Sequence, residues 1–169
     1  QNNAIKLIEK STKNIILLKG VTGSGKTEVY MNLVKNAIIN DKSAIILVPE
    51  ISLTPQMIER FKGRFGREVA VFHSKLSEGE RYDEWYRIKE GKAKVVIGAR
   101  SALFLPLRNL GVIIIDEEHE NTYKSEQNPK YVTREVAEFI SELKGCKVIL
   151  GSATPSIETY YRAISGEIE

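Results

Sequence analysis

The chain predicts an α/β protein, a doubly wound and mainly parallel sheet with helices on both faces, and three observations carry that expectation. Short β-rich apolar runs recur along the chain, stretches with helical spacing separate most of them, and the polar motifs fall just after the runs. Runs without polar alternation suit strands buried on both faces. Strand and helix in alternation give a parallel sheet whose ligands gather beyond the carboxyl ends of its strands. At 169 residues, with 42% apolar and 28% charged residues, residues 1–169 are expected to form one domain.

The first run, Ile15 to Leu18, is followed by a stripe of Val29, Leu33, Val34, Ala37 and Ile38 with helical spacing. The second, Ala44 to Val48, precedes Thr54-Pro55, an N-cap followed by a proline suited to the first helical position, and then the stripe Met57, Ile58, Phe61 and Phe65. After the third, Val69 to Phe72, Ser77 and Glu80 are spaced as a capping box ahead of Tyr82, Trp85 and Ile88, with Gly91 near the end. Lys94 to Ile97 and Val112 to Ile115 are the fourth and fifth runs, and Val136, Phe139, Ile140 and Leu143 form the next stripe. Lys147 to Leu150 is the sixth run. Thr154-Pro155 then repeats the cap signal before Ile157, Tyr160, Tyr161 and Ile164. Internal repeats, low-complexity tracts and linkers are not seen.

Two motifs carry chemistry. Gly20-Val21-Thr22-Gly23-Ser24-Gly25-Lys26-Thr27 has the spacing of a phosphate-binding loop and sits between a predicted strand and a predicted helix. Its glycines let the backbone wrap an anion and aim N–H groups inward, and the helix adds the positive end of its dipole. Lys26 is expected to reach the β and γ phosphates of ATP, and the Thr27 hydroxyl to take a Mg²⁺ position. Asp116-Glu117-Glu118-His119 closes the fifth run. Asp116 is the expected Mg²⁺ partner and Glu117 the residue that orients and deprotonates the attacking water, because the metal holds one carboxylate and leaves its neighbour free. Glu118 is given no assigned role, a structural one being open to it. His119 is assigned a coupling role, the plain alternative being a hydrogen-bonded loop histidine. Gly151-Ser152-Ala153-Thr154 ends the last run and offers two hydroxyls, Ser152 and Thr154, to the acidic box as a sensor of the γ-phosphate.

Composition adds exclusions. A net charge of +3 is too small to argue nucleic-acid binding from the overall field. The single cysteine, Cys146, reads as a buried structural thiol in a reducing, cytoplasmic compartment. A membrane span and a signal peptide are not expected.

Together these segments resemble the first RecA-like lobe of a superfamily 2 DExH helicase, most closely the family of primosomal replication-restart DNA helicases. The phosphate loop extended by Glu28-Val29-Tyr30 resembles motif I, and Val48-Pro49-Glu50-Ile51-Ser52-Leu53-Thr54-Pro55-Gln56 resembles motif Ia. His73-Ser74, Leu76-Ser77, Glu80-Arg81 and Trp85 follow the same family pattern. Val96 to Phe104 is similar to motif Ib, the acidic box to motif II, and Gly151 to Ser156 to motif III. The likeness runs from Leu17 to about Thr159. It implies a RecA-like P-loop NTPase lobe and, for the intact protein, ATP-driven 3′ to 5′ DNA unwinding in replication restart and primosome assembly. ATP and Mg²⁺ are the implied cofactors, with zinc only in a part of the full-length protein outside this chain. Single-stranded and forked DNA are the implied partners, joined by primosome and single-strand-binding proteins.

By the same resemblance, Pro49, Glu50, Thr54, Gln56, Arg100 and Ser101 contact the DNA backbone or shape its groove. Pro49 and Thr54 have an alternative in turn and cap geometry alone, and His73 and Ser74 in capping a strand end. Asn121 to Tyr131 resembles the family's aromatic-rich loop, in which Tyr123 would stack on bases and Lys124 would meet phosphates. The alternative is tyrosines folded back on the sheet. Arg134 is expected to anchor this loop. Gln1 matches the glutamine that reads adenine. The chain departs from the family pattern at Ala99, Thr122 and Ser125, where Thr, Ser and Gln are usual. A second lobe with its arginine finger is expected to lie outside the chain, which alone should bind Mg²⁺-ATP and, weakly, single-stranded DNA, with little turnover. Two other functions fit the same motifs: a DExH translocase of the branch-migration or restriction type, and a non-enzymatic, ATP-gated DNA-binding scaffold.

Overall fold

All six predicted apolar runs are strands. The computed structural model describes residues 1–21, 23–126 and 128–169. In chain order the elements are α1 (Asn2–Lys10), β1 (Ile15–Lys19), α2 (Lys26–Ile39), β2 (Ser43–Leu47), α3 (Pro55–Phe65), β3 (Val69–Phe72), α4 (Glu78–Lys89), β4 (Val95–Gly98), β5 (Leu110–Asp116), β6 (Lys124–Ser125), β7 (Tyr131–Val132), α5 (Thr133–Lys144), β8 (Lys147–Ser152) and α6 (Ile157–Ile164). Six strands pair in parallel in the order β1-β8-β5-β2-β4-β3. Parallel pairing places every carboxyl end on one edge of the sheet, where all the polar motifs follow.

The pleat distributes the core between two layers. Ala44, Ile46 and Val48 face a cluster completed by α1, α2 and α3, while Ile45 and Leu47 face one completed by α4, α5 and α6. Both faces are covered, which is why the polar residues of these strands are confined to their ends. Each buried Val, Leu or Ile contributes about 1.5–3 kcal/mol relative to exposure.

Local signals set the helix starts. The Thr54 hydroxyl accepts the Met57 N–H at 3.3 Å with Pro55 in the first turn. Ser77 and Glu80 form the reciprocal capping box, the Ser77 N–H donating to Glu80 Oε2 at 2.9 Å and the Glu80 N–H to Ser77 Oγ at 3.3 Å.

Four features differ from the sequence expectations. Helix α1 has no predicted counterpart; it forms because Ala4, Ile5 and Ile8 find an apolar surface on α2. Strands β6 and β7 make a short antiparallel ribbon within the polar segment after the box. Helix α6 is capped by Ser156, whose hydroxyl accepts the Thr159 N–H at 3.3 Å. Thr154 is not the cap, because the helix starts only at Ile157 and the Thr154 hydroxyl lies by His119 Nε2 at 3.5 Å. Finally, the stripe Ile157, Tyr160, Tyr161 and Ile164 is solvent-exposed, as are Phe139 and Leu143 on α5. On α5 the other two stripe residues, Val136 and Ile140, do pack on the core beside buried Ala137 and Ser141, while α6 seats the smaller Thr159 and Ala163, because small side chains let a helix lie close to the sheet.

Candidate nucleotide site and neighbouring cleft

Three adjacent strands assemble the site. β8 lies between β1 and β5, with Lys19 in register with Ser152 and Asp116 in register with Gly151. The phosphate loop, the hydroxyls after β8 and the acidic box are therefore neighbours although they are far apart in sequence. The Gly20 N–H donates to Ser152 O and the Glu118 N–H to Gly151 O, both at 3.0 Å, which ties each loop to β8.

The phosphate loop turns through Gly23 and Gly25, both at positive φ, and Gly25 is the N-cap of α2. A glycine cap leaves no side chain over the first N–H groups of the helix. The Gln1 amide lies against Gly25 so closely that no Cβ would fit there, which places Gln1 beside the loop. The Lys26 ammonium donates to Gly20 O at 2.8 Å and stands 3.7 Å from Glu117 Oε1. Ser24 and Thr27 sit in the same turn and helix start; Thr22 lies outside the described residues.

In the box, Asp116 ends β5 with its carboxylate largely enclosed. Burial raises its carboxyl above the ordinary range, a hydrogen bond from Tyr30 pulls it down, neighbouring Glu117 raises it and Lys26 lowers it. Tyr30, buried on α2, donates its hydroxyl to Asp116 Oδ1 at 2.8 Å. Burial first, and the Asp116 charge second, push that phenol far above its ordinary value, so it remains a donor. Glu117 adopts φ of 48°, a left-handed conformation uncommon outside glycine and found where a site demands it. This turn sets Glu117 between Lys26 and His119, whose Nδ1 is 3.7 Å away. His119 Nδ1 pairs with Ser152 Oγ at 2.8 Å, and Nε2 lies 3.5 Å from Thr154 Oγ1. Both hydroxyls of the last motif thus meet the box histidine.

Glu118 faces the other way. It is buried and accepts from the Ser156 N–H at 2.7 Å, the Ser156 hydroxyl at 3.3 Å and the Thr159 hydroxyl at 3.1 Å, capping α6 from below. Arg134, at the start of α5, donates to Thr159 Oγ1 at 2.8 Å and so ties α5 to α6.

A second cleft, about 190 Å³, lies beside the box, between Pro49, Glu50, Ala99, Arg100, Thr122 and Tyr123. It joins the segments after β2, β4 and β5. Pro49 is buried, Glu50 is exposed and accepts from the Ser74 N–H at 3.1 Å and from its hydroxyl, and Gln56 and Ser101 are exposed. Those Ser74 hydrogen bonds, backbone and side chain, hold the Glu50 carboxyl below its usual range. Thr54 caps α3, and His73 Nδ1 accepts the Lys75 N–H at 3.2 Å. Arg100 donates to Thr122 O at 3.0 Å and Lys124 O at 2.6 Å, pinning the start of the ribbon, while the Lys124 side chain stays exposed. Tyr123 corrects a sequence expectation: it is buried, with its hydroxyl on Asp116 O at 2.7 Å, so its ring is not presented for stacking on bases. A phenol with an enclosed carbonyl in reach gains more by turning inward. Tyr131 packs edge-on against Phe104, ring centres 5.2 Å apart.

Tyr30 and Gly151 lie in motifs quoted from the sequence, but their contacts with Asp116, and those of Glu118 with Ser156 and Thr159, were not legible there. Only the register of β5 with β8 reveals why residue 151 lacks a side chain.

A parallel sheet carrying a phosphate loop on one strand and an acidic box two strands away defines the RecA-like α/β lobe of the helicases. The DEAD/DEAH box helicase family model matches residues 1–163, and the chain belongs to that family. Among curated proteins it is 55% identical over 162 residues to replication restart protein PriA of Bacillus subtilis, covering 96% of this chain and 20% of that protein. It is 53% identical over 147 residues to PriA of Synechocystis, covering 86% and 18%. The chain therefore spans about a fifth of the length of these relatives. Among solved structures, RecG bound to a three-way DNA junction superposes with a TM-score of 0.68 at 23% identity, over 98% of this chain and 22% of that one. The Pyrococcus furiosus Hef helicase domain gives 0.66 at 20%, over 98% and 36%. At those identities the likeness concerns the fold.

Proposed function

We propose that this chain is the ATP-binding lobe of a 3′ to 5′ DNA helicase that restarts replication at stalled or repaired forks and assembles the primosome. Single-stranded and forked DNA are the polymers it works on, with primosome and single-strand-binding proteins as partners of the longer protein. The observation that carries this reading is the meeting of phosphate loop, acidic box and paired hydroxyls on three neighbouring strands, with His119 on Ser152. The similarity to replication restart proteins supports the biological role.

In this reading the backbone of Gly20, Thr22, Gly23, Ser24 and Gly25 wraps the phosphates, Lys26 neutralises their charge, and Gln1 reads the adenine edge. Mg²⁺ needs few protein ligands when phosphates and water supply the rest. Thr27 and Asp116 would hold it, an enclosed carboxylate beside a phosphate loop being the kind of donor it takes. When bound, the ion supplies charge neutralisation across the β and γ phosphates. Glu117, steered by its left-handed backbone and flanked by Lys26 and His119, accepts the proton of the attacking water. His119 relays the state of that water site to Ser152 and Thr154, and so to the segment after β8. Pro49, Glu50, Thr54, Gln56, Arg100, Ser101 and Lys124 border or shape a DNA groove at the second cleft, where backbone contacts suit a motor indifferent to sequence.

Replacing Glu117 by Gln in the full-length protein should leave ATP affinity within about threefold and lower DNA-stimulated turnover by at least about 100-fold, general-base removal costing 10²–10⁴. Filter binding with labelled ATP and a phosphate-release assay measure the two quantities. Hydrolysis surviving in that variant would remove Glu117 from the role. A full-length protein that binds ATP and forked DNA without DNA-stimulated hydrolysis would end the motor reading.

A further inference from the structure

Asp116 is held at its backbone by β-sheet pairing with β8 and by the Tyr123 hydroxyl on its carbonyl. Those contacts do not fix the carboxylate itself, whose partners are the neighbouring Glu117 N–H and the Tyr30 hydroxyl. We propose that Tyr30 is the positioning residue, donating to Asp116 Oδ1 so that the carboxylate is presented in one orientation toward the phosphate loop.

Three observations converge on it. Tyr30 is fully enclosed, so its hydroxyl is not replaceable by solvent from outside, and its bond to Oδ1 is 2.8 Å long. Tyr30 lies four residues after Lys26 on α2, so one helix face brings the phosphate-loop ammonium and the phenol to successive turns. Gly151, paired with Asp116 across the sheet, makes the space: a Cβ there would overlap the Tyr30 hydroxyl deeply and crowd Asp116 Oδ1. A buried phenol that needed only a partner has no call for a notch cut in the neighbouring strand. The three residues form a device spanning α2, β5 and β8, with the glycine as its clearance.

Pre-orientation matters because a freely turning carboxylate must be ordered when it meets a cation, at an entropic cost. The inference rests on the reading of Asp116 as the Mg²⁺ acid, and the test separates the two. In the full-length protein, Mg²⁺ is titrated against binding of a fluorescent, non-hydrolysable ATP analogue, with binding in EDTA as the metal-free reference. Tyr30→Phe keeps the ring that fills the core and should raise the Mg²⁺ concentration at half-effect about tenfold, with metal-free binding little changed and the melting temperature lowered by the loss of one buried hydrogen bond. Gly151→Ala, which displaces the hydroxyl while keeping it, should weaken Mg²⁺ in the same way and serves if Tyr30→Phe does not fold. Asp116→Asn is the control. A normal Mg²⁺ dependence in Asp116→Asn overturns the metal reading and this inference with it. Loss in Asp116→Asn with normal dependence in a folded Tyr30 or Gly151 variant overturns the positioning role alone.

Discussion

Glu118 illustrates how one side chain can serve the frame of a site while its neighbours serve the chemistry. Its carboxylate takes three donors from the start of α6 within a buried pocket, so removing it strands polar groups without water. Glu118→Ala should destabilise the chain by about 2–4 kcal/mol in urea unfolding, several unpaired donors each costing about 1–3 kcal/mol with partial relaxation. Glu118→Gln, which retains an acceptor, should cost clearly less. A loss below about 1 kcal/mol in the alanine variant would mean that water replaces the carboxylate and that the latch is not structural. The alternation of roles along Asp116, Glu117, Glu118 and His119 has a local cause: the strand ends at Asp116 and the left-handed turn at Glu117 redirects the chain. The next carboxylate then points beneath the sheet end while His119 returns to Ser152. The roles of adjacent acids are set by that backbone turn and not by their chemistry.

Among the elements, the β6–β7 ribbon is the one least supported by its own sequence. It has two residues in each strand and few buried side chains, and is held by Arg100 on Lys124 O and on Thr122 O just before it, by Tyr123 beneath and by Thr133, whose hydroxyl donates to Tyr123 O at 2.8 Å. Arg100→Ala should speed amide hydrogen exchange of residues 122–125 and 131–132 by about tenfold or more while the six-stranded sheet keeps its protection. Unchanged exchange in the ribbon would show that the aromatic contacts hold it unaided. Helix α4 is the opposite case. Its capping box can be read directly from Ser77 and Glu80 because both partners lie within one turn. Helix α6 lies between the two, since its apolar stripe suggested a core face that the tertiary packing gave to Thr159 and Ala163 instead.

For the molecule as a whole, strand order divides the functional edge. β1, β8 and β5 carry the phosphate loop, hydroxyls and acidic box, and β2 and β4, with the chain beyond the box, carry the segments around the second cleft. The border runs between β5 and β2, and Tyr123 stands on it, bordering the cleft while donating to Asp116. The division predicts separable ligands. Nucleotide titrated into the 169-residue chain should bind without DNA, and saturating single-stranded DNA should shift that affinity by less than about threefold, turnover remaining slow in both cases because an arginine finger from elsewhere is worth 10³–10⁵ in rate. Fluorescent nucleotide anisotropy and phosphate release measure this. Full DNA-stimulated turnover by the chain alone would refute the need for a second set of residues.

Periodicity, caps and loop spacing are local, and the chain writes them out plainly: six buried strands, the Thr54 cap, the Ser77–Glu80 capping box, the phosphate loop and the acid-acid-acid-histidine box were all legible in it. Contacts between distant positions were not. Tyr30 reaches Asp116 across 86 residues, Glu118 reaches Ser156 across 38, and Arg100 holds Lys124 across 24. Each depends on which strands become neighbours and in what register, and a one-dimensional pattern carries no register between strands separated by helices. The chemistry of the acidic box could thus be listed from its letters, whereas the placement of each side chain around it was decided by the packing of α2, β5 and β8.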